Sequence, residues 1–261
     1  MILFSLIFLI GVFFSLRYNW WRISVANTHP RVLMYHKIDV HTHDKKRNKW
    51  RVECVDFAKQ MAWFSKNGWH SFTMSELVAS QESLPPKSFA ITFDDGYEDN
   101  YTHAFAILQK YQFKATIYLV PQKKENDWEL FANKDFDKLL STQQIQTMQE
   151  SGLIEFGAHT MHHSNLTRLD DTEMTKEIED SKKYVETISG QPCYSFAYPY
   201  GKYNDKIVDK VKQAHYHSAV SVKRGVFRLG DNPFCIKRIG ILGTESFFDF
   251  YLKVTRIRNK L

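Results

Sequence analysis

Ser88-Phe89-Ala90-Ile91-Thr92-Phe93 runs straight into Asp94-Asp95-Gly96-Tyr97. Six uncharged, mostly apolar residues predict a buried strand. The Asp-Gly step ends it. Two adjacent carboxylates repel, so keeping both ionised requires a cation or a shared proton. Neighbouring side chains at a strand end point different ways, so one can hold a metal while the other faces a substrate. A plain Asp-Gly turn explains the same residues. The surrounding sequence has to decide.

Outward from this stretch, strand-like and helix-like segments alternate. Upstream, Arg31–Tyr35 (RVLMY) predicts a strand. Asp56–Lys66 sets Phe57, Met61 and Phe64 on one helical face and stops before Gly68. Thr73-x-x-Glu76 is a capping box opening a short helix. Downstream, Asn100–Tyr111 predicts a helix and Lys114–Val120 a strand. Ser141-x-x-Gln144 caps a helix, and Leu153–Phe156 leads to a strand end. Asp170-x-x-Glu173 opens a long helix reaching about Ser189. Tyr194–Tyr198, Ser218–Val222 and Ile236–Ile241 predict strands, with a helix over Asn204–Ala214. Such alternation predicts an α/β fold whose parallel sheet is joined by crossover helices. About seven units in one domain predict a complete or distorted (β/α)7-type barrel. In barrels the chemistry gathers at the C-terminal strand ends, so polar motifs should follow strands.

Three further motifs meet that condition. His159-Thr160-Met161-His162-His163 follows the strand ending Phe156-Gly157. An i, i+4 pair on a helical turn, His159 with His163, puts two imidazoles on one cation. His162 then points elsewhere. Gly157 suits a close backbone approach. Phe196-Ala197-Tyr198-Pro199-Tyr200-Gly201 makes a defined turn after a strand. Its aromatics can wall a sugar site or simply pack, and a turn amide can donate to an oxyanion. His36 closes Leu33-Met34-Tyr35-His36, either as a general acid or as a hydrogen-bonded rim residue.

Together these residues resemble the polysaccharide deacetylase family, the NodB-type carbohydrate esterases of family 4, over roughly Arg31 to Ile241. Thr92–Gly96 is similar to the first family motif, His159-Thr160-x-x-His163 to the second and Phe196–Gly201 to the third. The resemblance implies a NodB-like barrel and removal of acetyl from an N-acetylated amino sugar. It implies Asp94 as general base, with Asp95, His159 and His163 holding a divalent metal. Zinc comes first there, with Co, Ni, Mn or Fe as other candidates. Thr160 supports the metal loop, the Tyr200 N–H faces the oxyanion, and Tyr97, Tyr198 and Pro199 lie against the substrate. Two departures stand out. Many members carry Arg two residues before the motif's Pro, where this chain has Ala197, so the usual partner of the base is missing or replaced. The late Leu-x-His motif is absent after Ile236. The opening Val32–His36 with the Phe57–Gly68 helix resembles instead the permuted branch that deacetylates poly-N-acetylglucosamine. His36 inherits the acid role there.

Asp39-Val40-His41-Thr42-His43 is the rival, similar to the opening of PHP-type metal phosphoesterases. It sits beside Lys45, Lys46, Arg47 and Lys49, a setting for an anion rather than a metal. A non-catalytic glycan-binding protein on the same fold is a second alternative. Ala197 fits it; intact Asp94, Asp95, His159 and His163 oppose it.

Composition narrows the frame. The 261 residues are 43% hydrophobic and 25% charged, which excludes a disordered chain and a polytopic membrane protein. Cys54, Cys193 and Cys235 are too scattered for a cysteine zinc cluster. Thirty-five basic against 29 acidic residues leave +6. The excess gathers at the N-terminal flank, Lys45–Arg51 and the tail, which favours a membrane surface or lipid phosphate over nucleic acid. Met1–Leu16 carries no charge, and Arg17, Trp20, Trp21 and Arg22 form a collar after it. Residues 1–22 therefore predict a single membrane anchor ahead of a catalytic domain over 23–261. Ser24-Val25-Ala26 offers the rival cleaved signal, but no basic residue precedes the apolar run. Arg17, Arg22, Arg31 and Lys37 place the domain on the cytoplasmic face. Thr244–Leu261 predicts one helix, with Lys253, Arg256 and Lys260 largely off its apolar side, either closing the barrel or lying on an anionic bilayer. The expected partner is an acetylated amino sugar, either in an envelope polymer or linked to polyprenyl phosphate as a lipopolysaccharide or lipid A precursor.

Overall fold

Arg31–Tyr35 pairs in parallel with Ser88–Phe93 along its whole length, and the same strand meets Ile236–Gly240 on its other edge. Those two pairings close a ring. The computed structural model describes residues 2–18, 21, 24–80, 82–128, 136–228 and 230–256. Its elements run α1 (Ile2–Tyr18), β1 (Arg31–Tyr35), β2 (Lys37–Ile38), β3 (Arg51–Val52), α2 (Cys54–Lys66), β4 (His70–Phe72), α3 (Met74–Ala79) and β5 (Ser88–Phe93). They continue α4 (Phe105–Tyr111), β6 (Ala115–Leu119), α5 (Thr142–Glu150), β7 (Ile154–Ala158), α6 (Asp171–Ser189) and β8 (Ser195–Ala197). The last are α7 (Asp205–Gln213), β9 (Ser218–Arg224), β10 (Ile236–Gly240) and α8 (Phe247–Arg256). Strands β1, β10, β9, β8, β7, β6 and β5 form the closed parallel barrel, and β4 adds to β5 outside it. The far edge of β5 is divided: β4 takes Ser88–Ala90 and β6 takes Ile91–Phe93.

Local sequence accounts for most of these elements. The capping boxes at Thr73/Glu76, Ser141/Gln144 and Asp170/Glu173 are all made in both directions. Helix α2 buries Phe57, Met61 and Phe64, the face its spacing predicts. Phe64 lies flat on Phe89 of β5, with ring centroids 4.1 Å apart. Burying each such phenyl ring stabilises the fold by about 2–3 kcal/mol. Gly157 on β7 has no room for a side chain: a Cβ there would sit 2.6 Å from the Tyr118 ring and 2.8 Å from the Ser195 carbonyl.

Three local readings change. The single helix expected over Asn100–Tyr111 begins as a wide π turn, Asn100–Ala104. Asn100 Nδ2 donates to the His36 carbonyl at 2.9 Å, tying that turn to the end of β1. The tail helix covers Phe247–Arg256 and packs inward through Phe250, Leu252 and Val254. Lys253 is buried with them rather than turned outward, its ammonium on the Gly240 carbonyl and Glu245, each at 2.5 Å. Ile257 and Lys260 lie outside the described residues.

Helix α1 is 17 residues long, about 25 Å. Among the described residues no helix is long and apolar enough to cross a membrane, so a spanning anchor over 1–22 is not seen as such. Phe4, Phe8 and Phe13 are at least 70% exposed. The helix is held at its C-terminal end: Arg17 reaches Asp249 at 3.1 Å, and Phe14 and Tyr18 contact Phe248. Trp20 and Arg22 lie outside the described residues.

Candidate active site

The C-terminal strand ends converge on one cavity of about 510 Å³. His36 arrives from β1, Asp94 and Asp95 from β5, His159 and His163 from β7, and Tyr198 and Tyr200 from β8. The chain turns sharply after β5, with Asp95 at φ 75° and Gly96 at φ 72°. That turn separates the two carboxylates. Asp94 faces Arg238, and Asp95 faces the imidazoles.

Asp95 Oδ1 lies 3.5 Å from His159 Nε2 and 3.3 Å from His163 Nε2. The three ligand atoms fall within 4.8 Å of one another. His159 Nδ1 is fixed on the Ala197 carbonyl at 2.7 Å, so its Nε2 is the nitrogen turned to the centre. His163 Nδ1 meets the Tyr200 hydroxyl at 3.2 Å, and its ring stacks on Trp128. Burial, and then the neighbouring His163, push the pKa of His159 down to about 4, leaving a neutral ring with a free lone pair. Burial would raise the pKa of Asp95, but His163, His36 and His159 outweigh it and hold the carboxyl well below its usual range. Asp95 Oδ1 is buried and finds no hydrogen-bond donor among the described residues. An orphaned carboxylate oxygen between two anchored imidazoles is the donor set of a divalent metal with open positions, and the residues fit one.

The histidine pair does not sit on a helical turn. Residues 159–163 form a loop in which Thr160 (φ 62°) and His163 (φ 60°) are left-handed. Glu177 of α6 holds it, accepting from Met161 N at 2.9 Å and His162 N at 3.2 Å and meeting His162 Nδ1 at 2.7 Å. Thr160 Oγ1 accepts the Ser164 N–H at 3.0 Å. Two imidazoles are thus aimed inward by side-chain bonds rather than by helical periodicity.

A family model for polysaccharide deacetylase matches residues 81–219. A Bacillus subtilis protein bearing the polysaccharide deacetylase name is 30% identical over 213 residues, covering 80% of this chain and 70% of its own. The chain belongs to the polysaccharide deacetylase family. A Staphylococcus aureus poly-beta-1,6-N-acetyl-D-glucosamine N-deacetylase is 26% identical over 92% of this chain and 82% of its own. Among solved structures, a Bacillus anthracis polysaccharide deacetylase superposes with TM-score 0.75 at 28% identity, covering 88% of this chain and 69% of that one. A Streptococcus pyogenes deacetylase in complex with acetate gives 0.76 at 25% identity, over 89% and 99%.

Within the family pattern, the residue that stands in for the arginine absent at Ala197 is Arg238 of β10. Its Nη1 and Nη2 each donate to one oxygen of Asp94 at 2.7 Å. Nη1 also donates to Thr92 Oγ1 at 3.0 Å, and Nε donates to the Ser221 carbonyl at 3.0 Å. Burial alone would raise the pKa of Asp94; the Arg238 guanidinium outweighs it and keeps the carboxyl below its usual range. The sequence reading missed Arg238. Its signal was a charged residue two positions after Ile236, on the same inward face of a buried strand.

The remaining candidates divide. His36 lines the cavity and packs tilted against Trp50 with centroids 4.6 Å apart. Its Nδ1 is buried without a hydrogen-bond partner among the described residues, and burial lowers its pKa although Asp94 and Asp95 oppose the shift. Tyr200 holds a left-handed backbone (φ 58°), and Tyr198 donates its hydroxyl to the Phe234 carbonyl at 3.1 Å. Pro199 is buried behind them and does not line the cavity. Tyr97 is also away from it: its ring is 1% exposed, faces the Lys37 ammonium at 4.4 Å and takes Asn126 Nδ2 on its hydroxyl. Placing Tyr97 against the substrate is therefore corrected; the left-handed Asp95-Gly96 turn leads the chain off the cavity before residue 97.

The rival motif does not assemble. Asp39 pairs with Arg51 at 2.5 Å, while His41 meets the Arg51 carbonyl and Glu53. Among the described residues Asp95, His159 and His163 are the one His/Cys/Asp/Glu group spaced to hold a metal.

Proposed function

We propose that the protein is a metal-dependent N-deacetylase acting on an N-acetylated amino sugar of an envelope glycoconjugate. The observation that carries this is the buried, donorless Asp95 Oδ1 between two imidazole Nε2 atoms whose other nitrogens are already engaged. Asp95, His159 and His163 would hold the cation. A divalent metal bound there would acidify a water and polarise an acetamide carbonyl. Zinc suits two imidazoles and one carboxylate with open positions.

The chain's own groups do the rest. Asp94, kept ionised by the Arg238 fork, accepts the water's proton on a lone pair not used by the guanidinium. The Tyr200 N–H donates to the oxygen that becomes negative as the carbonyl turns tetrahedral. His36 delivers a proton to the departing amine; burial lowers its pKa, and the negative charge of Asp94 and Asp95 offsets only part of that shift. Acetate and a free amino sugar leave.

The Staphylococcus aureus relative supports a poly-N-acetylglucosamine-like polymer as substrate. Helix α1 supports a lipid-linked sugar instead, because a helix apolar on every side is stable only in an apolar medium. We propose that residues 1–22 attach the domain to a membrane, with the flanking cations favouring the cytoplasmic face. A topology reporter fused at Leu261 tests the side.

The activity test is acetate release from N-acetylglucosamine oligomers by the full chain loaded with zinc, cobalt, nickel, manganese or iron. Release is expected, and Asp95→Asn should abolish it. No acetate with any of these metals and sugars, lipid-linked ones included, would sink the reading.

A further inference from the structure

The cavity's charges are settled unevenly. Of its carboxylates, Asp94 is neutralised by Arg238 and Asp95 belongs to the metal triad. Of its cations, Lys253 is matched by Glu245. Lys49 and Arg224 also line it. The Lys49 ammonium lies 5.3 Å from the Trp50 ring and has no acidic partner among the described residues. Its neighbours show that this is selective. Arg47 and Arg51 in the same segment are both drawn to Asp137, and Arg51 also to Asp39.

Lys49 is held in place from behind. Its carbonyl accepts the Gly243 N–H at 3.0 Å, and its N–H donates toward Lys46. Gly243 packs so tightly on the Asn48 and Arg51 carbonyls that no side chain fits there. Arg224 comes from the end of β9. Lys49 therefore brings a cation without an acidic partner to the cavity that holds the triad, and Arg224, which has a contact of its own, lines the same cavity. A cation left unmatched beside low-dielectric walls attracts an anionic group. A neutral acetylated polymer has no group for this cation, and its deacetylated product, a polyamine, would be repelled.

We infer that Lys49 forms an anion subsite at this cavity, and that the substrate is an N-acetylhexosamine bearing a phosphate or carboxylate. This rests on the deacetylase reading for its chemistry, but the charge selection can be measured separately.

The test uses the full chain, zinc-loaded for turnover and metal-free for binding. The probes are N,N′-diacetylchitobiose, N-acetylglucosamine 1-phosphate and N-acetylmuramic acid. Calorimetry should show the charged sugars binding wild type at least tenfold tighter than the neutral one, with the gap narrowing as salt rises. Lys49→Gln should reduce that selectivity about tenfold, in binding and in the KM for acetate release, while Lys49→Arg retains most of it. Loss for the phosphate sugar alone assigns phosphate; loss for both admits carboxylate. Equal affinity for neutral and charged sugars, or an unchanged ratio in Lys49→Gln, overturns the subsite. Selective binding without acetate from any sugar would support the subsite and sink the deacetylase reading.

Discussion

Asp137 receives Lys37 at 2.5 Å, Arg51 at 2.6 Å and Arg47 at 3.2 Å. Asp95, at the floor, sits between two imidazoles and keeps one oxygen with no donor. The first cluster is closed: each carboxylate oxygen has a cation, and the result pins the Lys37–Arg51 segment to the chain around residue 137. The second is open, and its geometry makes sense only with a ligand to fill it. Asp94 lies between these cases, closed on one side by Arg238 and open to the cavity on the other. Closed ionic clusters in this molecule hold structure, and the open one is where the proposed chemistry sits.

Breaking the open cluster should have the largest effect. Asp95→Asn or His163→Ala is expected to lower acetate release about a thousandfold or more. Bound zinc per chain, measured by atomic emission, should fall in parallel, while the metal-free unfolding midpoint moves little. Activity lost with zinc retained would contradict the ligand assignment.

Next comes the half-open case. Arg238→Met strands a buried carboxylate, which should cost about 3–5 kcal/mol in urea unfolding. Arg238→Lys keeps the charge and loses the fork, so its main effect should fall on kcat rather than stability. If Arg238→Lys turns over like wild type, the two-pronged bond to Asp94 is not what prepares the base.

The closed cluster should matter for stability alone. Asp137→Asn is expected to lose about 1–2 kcal/mol at neutral pH, a figure reduced for partial exposure. Burial would raise the Asp137 pKa, but Lys37 and Arg51 bring it down to about 2. A depressed carboxyl binds fewer protons folded than unfolded. Its contribution is therefore complete above the unfolded value of about 4 and lost as pH falls toward about 2. Unfolding curves of wild type and Asp137→Asn should converge across that window. A gap that stays constant would mean the lost stability is packing rather than charge. The smallest change is His41→Ala, which removes one half-exposed hydrogen bond: within about 1 kcal/mol in unfolding and about twofold in acetate release.

Legibility followed distance along the chain. The three capping boxes, the Phe57/Met61/Phe64 face and the strands ending at Phe93 and, within a residue, at Gly157 depend on neighbours a few residues apart, and they read directly. Strand β4 did not, because His70–Phe72 is three residues long and half-exposed, without enough alternation to signal. The conformation of the His159–His163 loop depends on Glu177, and the Asp94–Arg238 pair spans 144 residues. No local pattern encodes such a partner. The same reach explains why a missing arginine at Ala197 looked like a damaged site when the barrel supplies one from β10.

The closure of the ring through β1 also sets an order of events during synthesis. Strand β1 can take β5 as soon as residue 93 is made, but its other edge has no partner until β10 emerges, roughly 200 residues after β1 itself. At about 5–20 residues per second, that edge stays bare on the ribosome for roughly 10–40 seconds. Bare strand edges template pairing with other chains. Nascent chains truncated before Ile236 should therefore be the aggregation-prone and chaperone-bound species, and release of the last strand should be the step that ends their exposure.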